Sequence, residues 1–96
     1  MELFLFARLH ASAGNSNAVQ QAVLAVQGPT RSEPGCLDYK AFQSIRDSDE
    51  FYIHSRWKDK AAFENHLNEP HTRRFAAGVE PLLDHPLRVT LAKHIP

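Results

Sequence analysis

The sequence predicts an α+β fold with four strands and two helical regions in the order βαββαβ, on three observations. Four short segments alternate apolar and polar residues or are continuously apolar, with the length of a β-strand. Two intervening regions space their apolar residues three and four apart, as a helix does. The chain of 96 residues is long enough for one domain only, residues 1–96, with a single two-layer core.

The first strand is predicted over residues 2–10, where both faces are apolar, as in a central strand covered on both sides. Residues 14–17 then supply a turn and N-cap candidates for a helix whose apolar positions begin at Val19. The Gly28-Pro29 pair is expected to kink or end this helix. A further helical turn after Pro29 is expected to stop at Pro34-Gly35.

The middle of the chain predicts a β-hairpin, with strands over residues 36–44 and 51–57 joined by a polar turn at residues 46–49. On each strand, every second residue is expected to share one face. These residues are Leu37, Tyr39 and Ala41 on the first strand and Phe51, Ile53, Ser55 and Trp57 on the second.

The last third of the chain predicts a broken helical region and a final strand. Asp59 is a candidate N-cap for a short helix, which residues 68–70 interrupt before a second helix begins. In that second helix Phe75 and Val79 share a face. After Pro86, apolar residues alternate with polar ones as in a strand.

This element order is the ferredoxin-like plan, in which right-handed crossovers place the helices on one face of a four-stranded antiparallel sheet. The helices are expected to cover Leu3, Leu5, Leu37, Ile53 and Trp57. The opposite, helix-free face then carries Phe4, Phe6, Phe42 and Tyr52. Burying one large aromatic side chain is worth about 1.5–3 kcal/mol. We therefore expect a homodimer that packs through this face.

Composition excludes several classes of partner and site. Eleven Lys and Arg balance eleven Asp and Glu, so the chain lacks the positive excess that nucleic-acid binding needs. The single cysteine, Cys36, excludes an internal disulfide and a cysteine-rich zinc site. The apolar run at residues 3–7 is too short for a signal peptide or a membrane span. We expect a cytoplasmic protein that does not bind membranes.

A set of ordered motifs runs through nearly the whole chain. It consists of residues 33–39 (EPGCLDY), residues 51–59 (FYIHSRWKD), Ala62, His66, Pro70-His71 and Phe75. These motifs resemble the antibiotic biosynthesis monooxygenase (ABM) domain family. The resemblance implies a dimeric α+β barrel with a pocket between each sheet and its helices. It also implies cofactor-independent oxygenation of phenols, quinols or polycyclic aromatics in some members, whereas others degrade haem or process small signalling molecules.

The chain departs from the family pattern at three positions. Family members commonly carry Glu two residues before the tryptophan of the third strand, where this chain has Ser55. The haem-degrading branch places a ligating His and an Asn at positions that correspond here to Ala76 and Ala7. The resemblance therefore does not extend to haem degradation.

Cofactor-free oxygenation requires a dry apolar pocket, a base that ionises the substrate and donors for the oxyanion that forms. His66 is the candidate base, because it follows Ala62 by four residues and Phe63 by three and so lies beside the apolar stripe. An imidazole is suited to proton transfer near neutral pH. The alternative is that His66, in the last helical turn, interacts with the helix dipole only.

Five further residues are candidates for substrate binding. Trp57 could stack on an aromatic ring, and Tyr39 and Ser55 could donate hydrogen bonds to a substrate oxygen. Phe51 and Phe75 could form the pocket wall. The alternative for the four aromatic residues is that they only pack in the core. The alternative for Ser55 is a hydrogen bond to water or to the backbone. The sequence does not decide between these roles.

No metal site and no cofactor are predicted from the histidine pattern. His66 and His71 are five apart with Pro70 between them, so they do not share a helical face, and no carboxylate completes a recognisable triad. His71 is accordingly expected to matter much less than His66. The predicted partners are a small aromatic substrate, dioxygen and a second copy of the chain.

Two classes of function remain open. The first is a cofactor-independent monooxygenase that acts on a small aromatic compound, which His66 and Trp57 favour. The second is a non-catalytic domain that binds or senses small molecules, or an isomerase-type enzyme of the same fold, which Ser55 in place of Glu favours.

Overall fold

One antiparallel sheet organises the computed structural model, which describes all 96 residues. Its strands pair in the order β2-β3-β1-β4, as the ferredoxin-like prediction requires. The strands are β1 (Leu3–His10), β2 (Cys36–Gln43), β3 (Glu50–Trp57) and β4 (Arg88–Ala92). Three helices and a short 3-10 turn connect them, namely α1 (Ser16–Arg31), α2 (Lys60–Leu67), α3 (Pro70–Val79) and the turn Glu80–Leu82. None of the helices is long and apolar enough to cross a bilayer.

The core lies between the helices and one face of the sheet. In β3 the burial alternates as predicted, with Phe51, Ile53, Ser55 and Trp57 all buried. Residues of β1 on the same face pair with them, and Leu5 lies opposite Ser55. From the helices, Val19 and Val79 reach full burial against this face.

The first helix continues through Gly28 and Pro29 and ends at Arg31. The expectation that the pair could end this helix is wrong. Pro29 is exposed, so the carbonyl that loses its backbone donor can bond to water. Thr30, directly after it, is fully buried and anchors the last turn to the core.

The second strand carries a bulge at Leu37. Cys36 pairs with Trp57 and Asp38 pairs with Arg56, so that Leu37 has no partner across the ladder. Leu37 is therefore 42% exposed, and the prediction that the helices cover it is wrong. Tyr39, two residues later, is buried on the helix side as predicted.

The segment between α1 and β2 packs closely against α2. A Cβ atom added to Gly35 would lie 2.2 Å from the Cβ of Ala62, so only glycine fits there. The backbone N–H of Lys58 donates to the carbonyl of Gly35. At the start of α2, Asp59 accepts a hydrogen bond from the N–H of Ala62, which confirms the predicted cap.

No element of the chain covers the helix-free face. Phe6 and Phe42 are each 51% exposed there, and Tyr52 is 39% exposed. The ring of His54 is stacked near both Phe6 and Phe4. This face is therefore an aromatic surface of the single chain.

Candidate active site

A mainly apolar cavity of about 150 Å³ lies between the sheet and the α2–α3 region. Its polar groups are the side chains of Tyr39, Ser55, His66 and Thr72. Its apolar lining consists of Leu5, Ala7, Val26, Ile53, Phe63, Leu67, Phe75, Ala76, Leu87 and Val89. A few polar groups that converge on an apolar space are typical of a small-molecule site.

His66 is 9% exposed and its ring is held between aromatic neighbours. The centroid of the ring lies 4.5 Å from that of Trp57 and 6.1 Å from that of Phe63. Its Nδ1 atom lies 2.7 Å from Oε2 of Glu33 and 3.2 Å from Oγ1 of Thr72. A carboxylate only accepts, so the neutral imidazole carries its proton on Nδ1. The other ring nitrogen, Nε2, is left with a lone pair.

Oε2 of Glu33 also accepts a hydrogen bond from His71. Nε2 of His71 lies 2.7 Å from Oε2 of Glu33, so two imidazoles donate to one carboxylate oxygen. His66 and His71 do lie on different helices, α2 and α3, as the spacing predicts, but Glu33 reaches both rings and so brings the two histidines into one cluster. The side chains of Glu33, His66 and His71 are 9%, 11% and 17% exposed, respectively.

Ser55 and Trp57 are joined by a buried hydrogen bond. The indole Nε1–H of Trp57 donates to Oγ of Ser55 at 3.0 Å. Trp57 is 0% exposed and Ser55 is 1% exposed. Ser55 lines the cavity, and its own O–H remains available as a donor. Trp57 does not line the cavity and instead packs behind His66.

Tyr39 lines the cavity on the strand next to Ser55. Burial, the largest cause, raises the pKa of its phenol well above the ordinary value, so the hydroxyl stays protonated. Arg31 donates two hydrogen bonds to the backbone carbonyl of Tyr39 and thereby fixes this part of β2. A neutral phenol in this position is a hydrogen-bond donor for a ligand oxygen.

The two candidate phenylalanines lie in different places. Phe75 is half-buried and lines the cavity. Phe51 is 3% exposed and lies at the other end of β3, opposite Leu9 of β1, away from the cavity. The structure therefore brings together His66, Ser55, Tyr39 and Phe75 and leaves Phe51 and Trp57 outside the cavity wall.

Sequence reasoning missed Glu33, His71 and Thr72 as members of the site. Glu33 follows α1 and His71 begins α3, and no periodicity links either of them to His66. The only available signal was that Glu33 and His71 both belong to the conspicuous motifs around EPG and PH. Ala7 and Ala76 both line the cavity, and neither methyl group can ligate iron.

Comparison with known proteins shows which family the chain belongs to. Rv0793 of Mycobacterium tuberculosis, provisionally named as a monooxygenase, is 32% identical over 75 residues, which are 78% of this chain and 73% of that one. Its solved structure superposes with a TM-score of 0.95 and covers 100% of this chain and 97% of that one, at 26% identity. PA3566 of Pseudomonas aeruginosa superposes with a TM-score of 0.92 at 35% identity, with 99% and 95% of the two chains covered.

One relative is a longer protein, and the match covers less than half of its length. The chain is 29% identical to sll1783 of Synechocystis over 65 residues, which are 68% of this chain and only 44% of that protein. The family model described as antibiotic biosynthesis monooxygenase matches residues 3–78, a range that contains the sheet strands β1 to β3, Glu33, His66 and His71. Since that match covers most of the chain, the protein belongs to the antibiotic biosynthesis monooxygenase family.

Proposed function

We propose that the protein is a cofactor-independent monooxygenase that oxidises a single-ring phenol or quinol in the apolar cavity. The proposal depends mainly on the hydrogen bond between Glu33 and His66. Because Glu33 accepts the Nδ1–H of His66, the ring keeps a lone pair on Nε2, and His66 is one of the residues that line the apolar cavity. Family membership and the provisional name of Rv0793 support a monooxygenase-like activity.

The cavity volume favours a single aromatic ring. An apolar cavity of roughly 150 Å³ is large enough to take up one benzene molecule, and the cavity here has about that volume. A fused polycyclic substrate would need the surrounding side chains to move. Among the aromatic classes that the sequence suggested, we therefore favour single-ring phenols and quinols.

His66 would begin the reaction by removing the phenolic proton at Nε2. The imidazolium that forms lies against the Glu33 carboxylate, which stabilises its positive charge. The phenolate then gives one electron to dioxygen, and the two radicals combine to form a C–O bond at a ring carbon that carries hydrogen. This is the para carbon of a simple phenol and an ortho carbon of a quinol. Ser55 and Tyr39 are the groups that can donate to the substrate oxygen as its charge changes.

The second half of the reaction returns the proton. His66 gives its Nε2 proton to the peroxide, the hydrogen on the carbon that bonded oxygen leaves as a proton, and the O–O bond breaks. One oxygen atom stays on the ring as a carbonyl, and the other leaves as hydroxide and becomes water. The sum is one phenol and one dioxygen converted to one quinone and one water, with all four electrons supplied by the ring.

We also propose that the working unit is a homodimer that packs through the helix-free face. Phe6, Phe42 and Tyr52 are too exposed for large aromatic side chains of a lone chain. Nδ1 of His54, between two of the aromatic rings, is buried without a hydrogen-bond partner. A second copy of the same face would cover the aromatic rings, and a formal net charge of zero does not oppose association.

Oxygen uptake by chelator-treated protein tests the activity. A panel should compare phenols and hydroquinones with one ring against naphthols and anthrones with two or three. We expect one dioxygen consumed per single-ring substrate, no hydrogen peroxide, and slower turnover of the larger compounds. Saturable binding of the ring compounds with no oxygen uptake would instead support the non-catalytic binding domain.

A further inference from the structure

We propose that Glu33, His66 and His71 form a binding site for a divalent metal ion of the zinc type, and that metal binding and turnover exclude each other at His66. The first half depends only on the geometry of the three side chains. The second half rests on the proposed function, because it concerns the nitrogen atom that the proposed base uses.

The three side chains offer a donor set that zinc uses. One carboxylate oxygen, Nδ1 of His66 and Nε2 of His71 all lie within 4.8 Å of one another. Two histidines and one glutamate with an open fourth position is a known ligand set of catalytic zinc ions. Ligands at about 2.0–2.1 Å from a tetrahedral ion lie about 3.3 Å apart. The two 2.7 Å contacts to Glu33 therefore need to widen by about 0.6 Å, and the two imidazole nitrogens, which lie within 4.8 Å of each other, need to reach the same spacing of about 3.3 Å.

The site is held in place by its surroundings. The three ligands come from the segment after α1, from α2 and from α3, so the fold and not local sequence sets their spacing. Trp57 and Phe63 restrict the ring of His66. All three side chains are largely buried, so part of the hydration of the carboxylate is already lost before an ion binds.

An ion has a polar route to this site. An open groove of about 520 Å³ is lined by Glu33 and by polar residues of the α2 region, among them Asn65, Asn68 and Glu69. This groove is distinct from the apolar cavity, which Glu33 does not line. Water in the groove can supply the fourth ligand that three protein ligands leave open.

A bound metal ion would change which nitrogen of His66 carries a hydrogen. Without metal, Nδ1 of His66 and Nε2 of His71 both carry hydrogens that they donate to Glu33. An ion bound to these two atoms must replace both hydrogens. The neutral ring of His66 then carries its hydrogen on Nε2 and no longer has the lone pair that accepts the substrate proton. Bound metal should therefore inhibit oxygenation.

Titration of tag-free, chelator-treated protein with Zn²⁺ tests the site directly. Calorimetry should give one ion per chain, and Co²⁺ should give the visible absorption bands of a four-coordinate site. Loss of one ligand in His71→Ala or Glu33→Gln should weaken Zn²⁺ binding by more than the roughly 10- to 100-fold caused by changing a residue that only hydrogen-bonds to a metal ligand. His71→Gln is the alternative if His71→Ala does not fold, as judged by thermal melts.

Two control variants separate this site from other histidines. His94→Ala removes an exposed histidine near the C-terminus, and His85→Ala removes a histidine that pairs with Asp84, which belongs to the separate cluster of His10, Asp47 and Asp84. Both should leave Zn²⁺ affinity unchanged. No binding at millimolar Zn²⁺, or binding that survives His71→Ala and is lost in His85→Ala, would overturn the proposed site.

The inhibition test is separate from the binding test. In a protein that turns over, Zn²⁺ should inhibit at the concentrations that fill the site, and chelator should restore activity. Binding without inhibition would overturn the second half of the proposal. A protein with no turnover at all would contradict the proposed function, while the calorimetric result would still decide whether the site exists.

Discussion

Glu33 and His66 lie 33 positions apart in the sequence, yet Oε2 of Glu33 lies 2.7 Å from Nδ1 of His66. The contact depends on Gly35, whose lack of a side chain lets the segment after α1 lie against Ala62 of α2. It fixes which nitrogen of His66 carries the proton, and therefore which nitrogen can act as a base. The proposed chemistry depends on this one contact more than on any other.

Replacement of His66 by Gln should lower kcat for phenol oxidation by roughly 100-fold or more, because a positioned general base contributes about 10²–10⁴-fold. His94→Gln, an exposed histidine, is the matched control and should retain full activity. Thermal melts are needed alongside, since His66 packs on Trp57. Full activity in His66→Gln, or a loss that is explained by unfolding, would mean that the base is elsewhere.

Replacement of Ser55 by Ala should destabilise the fold. The Nε1–H of Trp57 is fully buried and would lose its acceptor, which costs about 1–3 kcal/mol of the free energy of unfolding. Ser55→Thr keeps a hydroxyl acceptor and should lose less. Urea denaturation measures both variants. Equal stability of Ser55→Ala and the unaltered protein would show that the indole has another partner.

The stability of the protein should fall as pH rises above about 6.5 through the titration of His10. Its ring nitrogens each lie 2.8 Å from a carboxylate, and the hydrogen bonds that the ring donates to Asp47 and then to Asp84 raise the pKa of His10 above its ordinary value of 6.5. A raised pKa in the folded state means that this stabilisation is fully present below pH 6.5 and is lost as pH rises through the higher folded value.

The measurement is the free energy of unfolding in urea across a pH series for the unaltered protein and His10→Gln. The variant should show a weaker fall in the free energy of unfolding as pH rises above 6.5. Identical slopes for the two proteins would show that other groups control the pH dependence.

Replacement of Phe6 by Glu should dissociate the proposed dimer, because it places a charge in the centre of the helix-free face. Ile45→Glu is the matched control, since Ile45 is fully exposed in the turn between β2 and β3 and should not affect assembly. Sedimentation equilibrium gives the mass of each protein. A monomeric unaltered protein at micromolar concentration would contradict the dimer.

Much of the fold could be predicted because strand and helix periods are local properties. The alternation of Phe51, Ile53, Ser55 and Trp57 identified the buried face of β3, and Asp59 identified the start of α2. The bulge at Leu37 could not be predicted, because a β-bulge changes the phase of a strand without a necessary change in composition. The continuation of α1 through Pro29 depends on the burial of Thr30, a tertiary contact.

The candidate site could be predicted only in part. His66, Ser55, Tyr39 and Phe75 lie on elements whose faces the sequence specifies, and all four line the cavity. The convergence of Glu33 and His71 on His66 depends on how α1, α2 and α3 are placed relative to one another, which no spacing within a single helix encodes. Trp57 was a reasonable candidate for the cavity wall, but its size lets it fill the core behind His66 instead.

Labelled dioxygen provides the most direct test of cofactor-independent monooxygenation. Chelator-treated protein would be given a single-ring phenol under ¹⁸O₂, with the quinone reduced at once so that its new oxygen cannot exchange with water. We expect one ¹⁸O atom in the quinone and one in water, and labelling that is roughly 100-fold slower or more with the His66→Gln protein. A product that carries no ¹⁸O, or labelling that requires an added metal or flavin, would contradict it.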